Sequence, residues 1–278
     1  MAHESGMIRV LIPLFFLLGV SPTLAAECGS DKLGTTRVLT LDAATHPRVG
    51  RKHFPNPLPL ARKDVVLTFD DGPMPGTTPR VLAALREQCV SATFFLLGRN
   101  AVAHPALARQ IGAEGHTIAH HTSTHRLLNR LPPEAAKKEI EHGIAEVENA
   151  VFGTTQADHV TRFFRFPGFA SSPALLKWLE EQRIVVFGAD LWASDWNPMS
   201  PEQELALVLA RLDKTGGGIV LFHDTRAQTA AMLPAFLRAL KTRGYKVVHV
   251  VPDGAQPAVA GTPTPPAKPA RHSRRKRG

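Results

Sequence analysis

Between Val65 and Val250 short apolar runs alternate with stretches whose apolar residues recur at helical spacing. The runs are Val65–Phe69, Ala92–Leu97, His116–Ala119, Phe163–Phe166, Ile184–Ala189, Gly218–Phe222 and Lys246–Val251. Most lack polar alternation, which is the pattern of strands buried on both faces. The amphipathic stretches are Thr78–Gln88, Pro132–Phe152, Pro173–Gln182, Pro201–Lys214 and Thr229–Arg243. Pro132 and Pro133 suit a helix start, and Gly153 and Gly244 suit helix stops. Strand and helix repeated about seven times predict an α/β fold of parallel strands joined by right-handed crossovers. A closed or nearly closed β/α barrel suits this length better than a doubly wound sheet.

The polar residues fall where a barrel would use them. Asp70 and Asp71 follow the first run, and His121 and His125 the third. In the fourth, Arg165 lies at the end of Phe163-Phe164-Arg165; Asp190 and Asp195 follow the fifth, and His223 follows the sixth. In a β/α barrel the C-terminal strand ends gather at one mouth, so residues far apart in sequence can share a pocket.

The ends of the chain read differently. Residues 1–26 have the layout of a signal peptide: Arg9, an apolar core from Val10 to Val20, and small residues at Ala25 and Ala26. The apolar core is shorter than the ~20 residues of a membrane span, so the alternative of an N-terminal anchor is disfavoured. The expectation is an exported protein, periplasmic or extracellular, with no membrane span after cleavage. Cys28 and Cys89 could then pair in an oxidising compartment, or stand as separate thiols. Residues 27–63 carry the strand-like Val38–Leu41 and a proline-rich link, and read as an extension wrapping a core domain at 64–252. Residues 253–278 turn to Pro, Ala, Gly and Thr and then to a basic cluster, a composition expected to be disordered. Of a formal net charge of +9, six positive charges lie at Lys268, Arg271, Arg274, Arg275, Lys276 and Arg277, leaving +3 for the rest. The globule is thus only mildly basic. The tail suits anionic envelope polymers; without aromatics it is no specific nucleic-acid site.

The chemistry is concentrated in two segments. Thr68-Phe69-Asp70-Asp71-Gly72-Pro73 places adjacent carboxylates at the end of a buried strand, which is costly without compensation. His121-Thr122-Ser123-Thr124-His125 places two imidazoles four residues apart. One carboxylate and two histidines make a ligand set for a divalent metal with open positions, leaving the other carboxylate as a base. On a helical turn His121 and His125 would face one side, so His121 rather than its neighbour His120 is the expected ligand. His116 is placed in the strand.

Five segments resemble the motifs of the polysaccharide deacetylases, the NodB-homology family or carbohydrate esterase family 4: Thr68–Pro73, Gly115–His125, Arg165-Phe166-Pro167, Asp195-Trp196 and Leu221-Phe222-His223. The resemblance runs from about Asp64 to Val251. It implies a distorted, incomplete β/α barrel of about seven strands. It implies that Asp71, His121 and His125 hold the metal, with zinc first in line and cobalt, iron, manganese or nickel also compatible. By the same resemblance Asp70 is the general base, oriented by Arg165, and His223 the general acid, held by Asp195 or by Asp190 upstream. A backbone N–H at Gly168 is assigned to the oxyanion, and Trp196 and Leu221 to apolar walls around the acetyl methyl. Many family members have Arg-Pro-Pro-Tyr-Gly in the third motif; here Arg165-Phe166-Pro167-Gly168-Phe169 exchanges the aromatic and the glycine.

The implied activity is hydrolysis of N-acetyl groups on polysaccharides containing N-acetylglucosamine: chitin oligomers, peptidoglycan or an exopolysaccharide. Two alternatives share the site: an O-acetyl esterase on a xylan-like polymer, and a carbohydrate binder that has lost catalysis. Retention of Asp70 and His223 beside a complete ligand set weighs against the binder, which needs neither.

Overall fold

A computed structural model describes residues 28–154, 161–254 and Val259. The stretch read as a signal peptide and most of the basic tail lie outside the described residues. The chain runs β1 (Thr35–Leu41), β2 (Arg48–Val49), β3 (Asp64–Asp70), α1 (Thr78–Glu87), β4 (Thr93–Leu96), α2 (Gly98–Ala103), α3 (Pro105–Ala113), β5 (Thr117–His120), α4 (Pro133–Phe152), β6 (Phe163–Phe164), α5 (Pro173–Glu181), β7 (Val185–Phe187), β8 (Leu191–Trp192), α6 (Pro201–Thr215), β9 (Gly218–His223), α7 (Ala227–Thr242) and β10 (Lys246–Pro252).

Every strand pair is parallel. Strands β8, β9, β3, β4, β5, β6 and β7 follow one another as neighbours, and β7 does not pair with β8. The result is a distorted barrel left open along one seam. The segment after β2 patches that seam: β2 pairs with β7, while Arg51 reaches across to Asp190 and to the Gly217 carbonyl.

One sequence expectation is corrected here. The run at 246–251 is not a regular stave: β10 meets β3 only at Lys246 and Val247 but pairs with β1 along its length. Val248 and Val250 instead join Leu41, Ala43 and Leu58 in packing against the interior residues Val66, Phe95, Ala119, Phe163 and Ile219. The short β8 supplies the remaining stave, too brief to announce itself by an apolar run. Of the residues beyond Pro252, which were expected to be disordered and lie mostly outside the described residues, Val259 is packed in the outer apolar cluster.

Strand side chains alternate between two faces. On β3, Val65, Leu67 and Phe69 face the outer cluster beneath α1 and α7, whereas Val66 faces the barrel interior. Thr68 and Asp70 continue that interior parity. A second outer cluster joins Phe164 and Val186 to Ile140, Ile144 and Leu175 of α4 and α5.

A disulfide joins Cys28 to Cys89, resolving the alternatives left open by the sequence in favour of pairing. It fastens the start of the described chain to the turn after α1. Among the described residues no helix is long and apolar enough to cross a membrane.

Candidate active site

Interior parity brings the chemistry to one mouth. Asp70 lies two residues beyond Thr68, His121 two beyond Ala119, Arg165 two beyond Phe163 and His223 two beyond Leu221, so each points inward as its strand ends. Asp70, His121 and His223 meet in a cavity of about 370 Å³ lined also by Asp71, His125, Phe166, Gly168, Phe169, Trp192, Trp196, Leu221 and Arg226, with Arg165 buried beneath it.

Asp71 leaves the alternation. Its φ of 75° turns the chain sideways, its N–H bonds the Phe95 carbonyl at 3.2 Å, and Asn100 Nδ2 holds its carbonyl at 2.7 Å. Asp71 Oδ1 then lies 3.5 Å from His121 Nε2 and 3.4 Å from His125 Nε2. The expected helical turn linking the histidines does not form. Residues 121–127 are a loop in which Thr122 (φ 70°) and His125 (φ 67°) adopt left-handed conformations. That loop rests on α4: Ser123 N–H donates to the Glu139 carbonyl, Thr124 N–H and Oγ1 donate to Glu139 Oε1, and Ser123 Oγ donates to Glu146 Oε2. Left-handed residues without glycine are strained and persist only where surroundings over-determine them, as here.

The trio fits a cation. Its ligand atoms lie within 4.8 Å of one another. Asp71 Oδ1 is buried without a hydrogen-bond partner. His121 Nδ1 donates to the Arg165 carbonyl at 2.8 Å, leaving Nε2 as the free lone pair, as metal-ligating imidazoles require. Burial holds His121 near a pKa of about 3, so the imidazole is neutral, the form a metal would take.

Asp70 is the second carboxylate. Arg165, wholly buried inside the barrel, donates from Nη1 to Asp70 Oδ1 at 2.6 Å and to Thr68 Oγ1 at 2.9 Å, and from Nη2 to the Gly188 carbonyl at 2.9 Å. Its guanidinium lies 4.2 Å over the Phe95 ring. Burial pushes the Asp70 carboxyl up, and Arg165 opposes that rise. The same burial lowers Arg165, and Asp70 opposes that. Such a pair is retained for position rather than for stability, because desolvating both charges offsets their attraction.

On the far wall His223 Nδ1 donates to Asp195 Oδ1 at 2.7 Å, and His223 N–H donates to Asp195 Oδ2 at 2.6 Å. Burial disfavours the imidazolium, but the Asp195 hydrogen bond and charge outweigh it and raise the pKa to about 9. His223 Nε2 faces Asp71 Oδ2 at 3.9 Å. The open choice between two aspartates is thereby closed. Asp190 sits at the start of β8, at the opposite end from the mouth, where it accepts from Ile219 N–H and Arg51 N–H. Counting Asp190 among the mouth residues was wrong, because β8 begins immediately after it.

Of the expected walls, Leu221 and Trp196 both line the cavity, Trp196 half-exposed and edge-on to His223 at 5.9 Å. Gly168 is exposed at the rim with φ 55°. Beside it Phe169 stacks on His53 at 3.7 Å, and Trp192 stands 6.3 Å from both rings. His53 and Trp192 were not anticipated: His53 comes from the proline-rich link, and Trp192 from a strand too short to be recognised. His120 is buried and bonds Thr161 Oγ1 at 2.6 Å, away from the ligand trio. His116 packs just ahead of β5 and accepts from Ala92 N–H.

Fold and site together fit a hydrolase class: a parallel β/α barrel whose mouth brings together a buried carboxylate, an imidazole held by an aspartate and a His/Asp trio able to hold a metal. Comparison with known proteins agrees. The sequence profile of the family described as polysaccharide deacetylase matches residues 58–185. A chitooligosaccharide deacetylase of Rhizobium leguminosarum bv. trifolii is 33% identical over 199 residues, covering 66% of this chain and 89% of the relative. A peptidoglycan-N-acetylglucosamine deacetylase of Listeria monocytogenes is 32% identical over 194 residues, covering 70% of this chain but 39% of that longer protein. The structure of a peptidoglycan deacetylase of Bdellovibrio bacteriovorus superposes with a TM-score of 0.70 at 33% identity, covering 80% of this chain and 60% of the other. The chain belongs to the polysaccharide deacetylase family.

Proposed function

We propose that this protein is an exported, metal-dependent hydrolase that removes N-acetyl groups from polysaccharide containing N-acetylglucosamine. The observation that carries the reading is the convergence of base, ligand trio and acid in one cavity. The names of the relatives supply the substrate class, and zinc is the metal proposed for Asp71, His121 and His125. Export is supported by the disulfide, which persists in oxidising compartments. Residues 27–63 are proposed to be part of the catalytic unit, and the basic tail to hold anionic envelope polymers.

A bound divalent cation would supply Lewis acidity and a more acidic water. Asp70 accepts the proton of the attacking water, held by Arg165 with Oδ2 facing the ligand trio. A cation at Asp71 favours the ionised form of Asp70 and so offsets the cost of its burial. Attack at the acetyl carbon builds a C–O bond and an alkoxide oxygen, and the role given to the Gly168 N–H at the rim is to stabilise that oxygen. His223 Nε2 then gives its proton to the amide nitrogen as the C–N bond breaks, yielding acetate and an amine. Leu221 and Trp196 exclude water from the methyl side.

The test is mass spectrometry of N-acetylglucosamine oligomers incubated with metal-stripped and zinc-reloaded protein. Metal-dependent loss of acetyl units, absent in Asp70→Asn, is the expected result. Stoichiometric metal binding without loss of acetyl from N-acetylglucosamine oligomers, peptidoglycan or O-acetyl xylan would sink the reading and favour a binder. Loss from O-acetyl xylan alone would make it an esterase.

A further inference from the structure

Behind the Asp195–His223 pair lies a buried carboxyl group that the reaction above does not use. Glu204, in the first turn of α6, is fully buried. Its Oε1 lies 2.9 Å from Thr229 Oγ1, and Thr229 Oγ1 lies 2.9 Å from Asp195 Oδ2. A hydroxyl has one hydrogen to give, and this one faces two carboxyl groups. Asp195 already accepts two N–H groups from His223, one on each oxygen, and is the ionised member. Were Glu204 ionised too, one of the 2.9 Å contacts would oppose lone pairs in a dry interior, where an unmade hydrogen bond is costly. The count closes when Glu204 carries a proton, donating to Thr229 while Thr229 donates to Asp195.

We propose that Glu204 is a protonated positioning residue that, through Thr229, keeps the Asp195 carboxylate aligned on His223. Other features agree. Glu204 Oε2 is buried without a partner, and no lysine or arginine pairs with Glu204 among the described residues. The start of α6 would favour an anion, yet burial outweighs it. Burial and the Asp195 charge push the Glu204 carboxyl up to about 7 against the opposing effects of Thr229 and His223. The inference rests on His223 being the general acid, and its test separates the two.

Two measurements decide it. In the wild-type protein at atomic resolution, the Glu204 carboxyl should show unequal C–O bonds, the longer to Oε1; equal bonds overturn the proposal. In acetate-release kinetics, Thr229→Val should lower kcat about tenfold with KM unchanged, the loss of one hydrogen bond to a charged group. Glu204→Leu should lower kcat less, and Glu204→Gln, whose amide N–H replaces the donor, should restore it. Because Glu204 acts only through Thr229, Thr229→Val/Glu204→Leu should be no slower than Thr229→Val alone. A double variant slowed by the product of the single effects overturns the proposal, as does an inactive, folded Glu204→Gln. If the wild type released no acetate, the reading of His223 would fail, while the bond lengths would still decide the protonation of Glu204.

Discussion

At the scale of single residues, each proposed reacting group has an environment suited to one role. Asp70 is fixed by a buried guanidinium and should be dispensable for metal binding. Asp70→Asn is therefore expected to bind zinc with unaltered stoichiometry, measured by calorimetry, while kcat falls by about 10² to 10⁴. His223 behaves oppositely to His121, the proposed ligand, because Asp195 raises its pKa to about 9 whereas burial lowers that of His121 to about 3. The sign follows. His223 stays protonated through neutrality and loses its proton only near pH 9, so NMR titration of the metal-free protein should find its midpoint there. Asp195→Asn removes the charge and the accepting carboxylate oxygen, and the midpoint should move down. That Asp70, His121, Arg165 and His223 share one mouth was legible, because each is a polar group at or just past the end of a strand, whereas Asp71 and His125 were reached only through their motifs. Glu204 and Thr229 were not legible, since each sits in a helix start where acids and hydroxyls are ordinary. Asp190 misled because an aspartate after an apolar run looks alike whether it ends one strand or begins the next.

Elements carry these residues with differing independence. The staves β3, β4, β5 and β9 could be read from unbroken apolar runs, as could α1, α4, α5, α6 and α7 from their periodicity and bounding prolines and glycines. Helices α2 and α3 went unread, since α2 is one short turn and a half and Pro105 divides the pair. The helix expected at the histidines was a failure of local reasoning. An i, i+4 spacing signals a helix only where nothing else fixes the loop, and here α4 fixes it. Gly143 is where α4 presses closest: a Cβ there would lie 2.2 Å from the Thr122 carbonyl carbon and 2.4 Å from Ser123 N. Gly143→Ala should consequently displace the 121–125 loop. The expected outcome is zinc affinity weakened at least tenfold, read by competition with a chromophoric chelator, with the far-ultraviolet circular dichroism retained. Ala substitution elsewhere on the exposed face of α4, as at Glu141, should change neither.

For the molecule as a whole, stability has two separable contributions that can be measured. The disulfide spans a sequence separation of 61 residues. Closing a loop of that length restricts the unfolded chain by about 4 kcal/mol in the chain-entropy account. Reduction, or Cys28→Ser with Cys89→Ser, should lower the urea midpoint accordingly without lowering activity in the folded protein. The second contribution is pH-dependent. Burial holds His116 near a pKa of about 3 and His249 near about 4, against 6.5 when unfolded. Both imidazoles are neutral in the fold, so below pH 6.5 only the unfolded chain gains their protons. Each then costs stability as pH falls from 6.5 toward 4, by up to about 1.4 kcal/mol per pH unit. Denaturation at pH 7 and pH 5 should show a smaller loss for His249→Gln than for the wild type. An equal loss would mean that His249 is protonated in the fold.

Shared parity along the staves also constrains how relatives can differ in length. Asp70, His121, Arg165 and His223 face inward because each lies an even number of residues from an interior side chain of its own strand. Adding or removing a single residue within such a strand would turn its terminal group into the helical layer, whereas a change after the strand end leaves the group in place. Length variation compatible with turnover is therefore confined to the connections. A change of length after a strand end would reshape the rim around the mouth, while a change within a strand would dismantle the site.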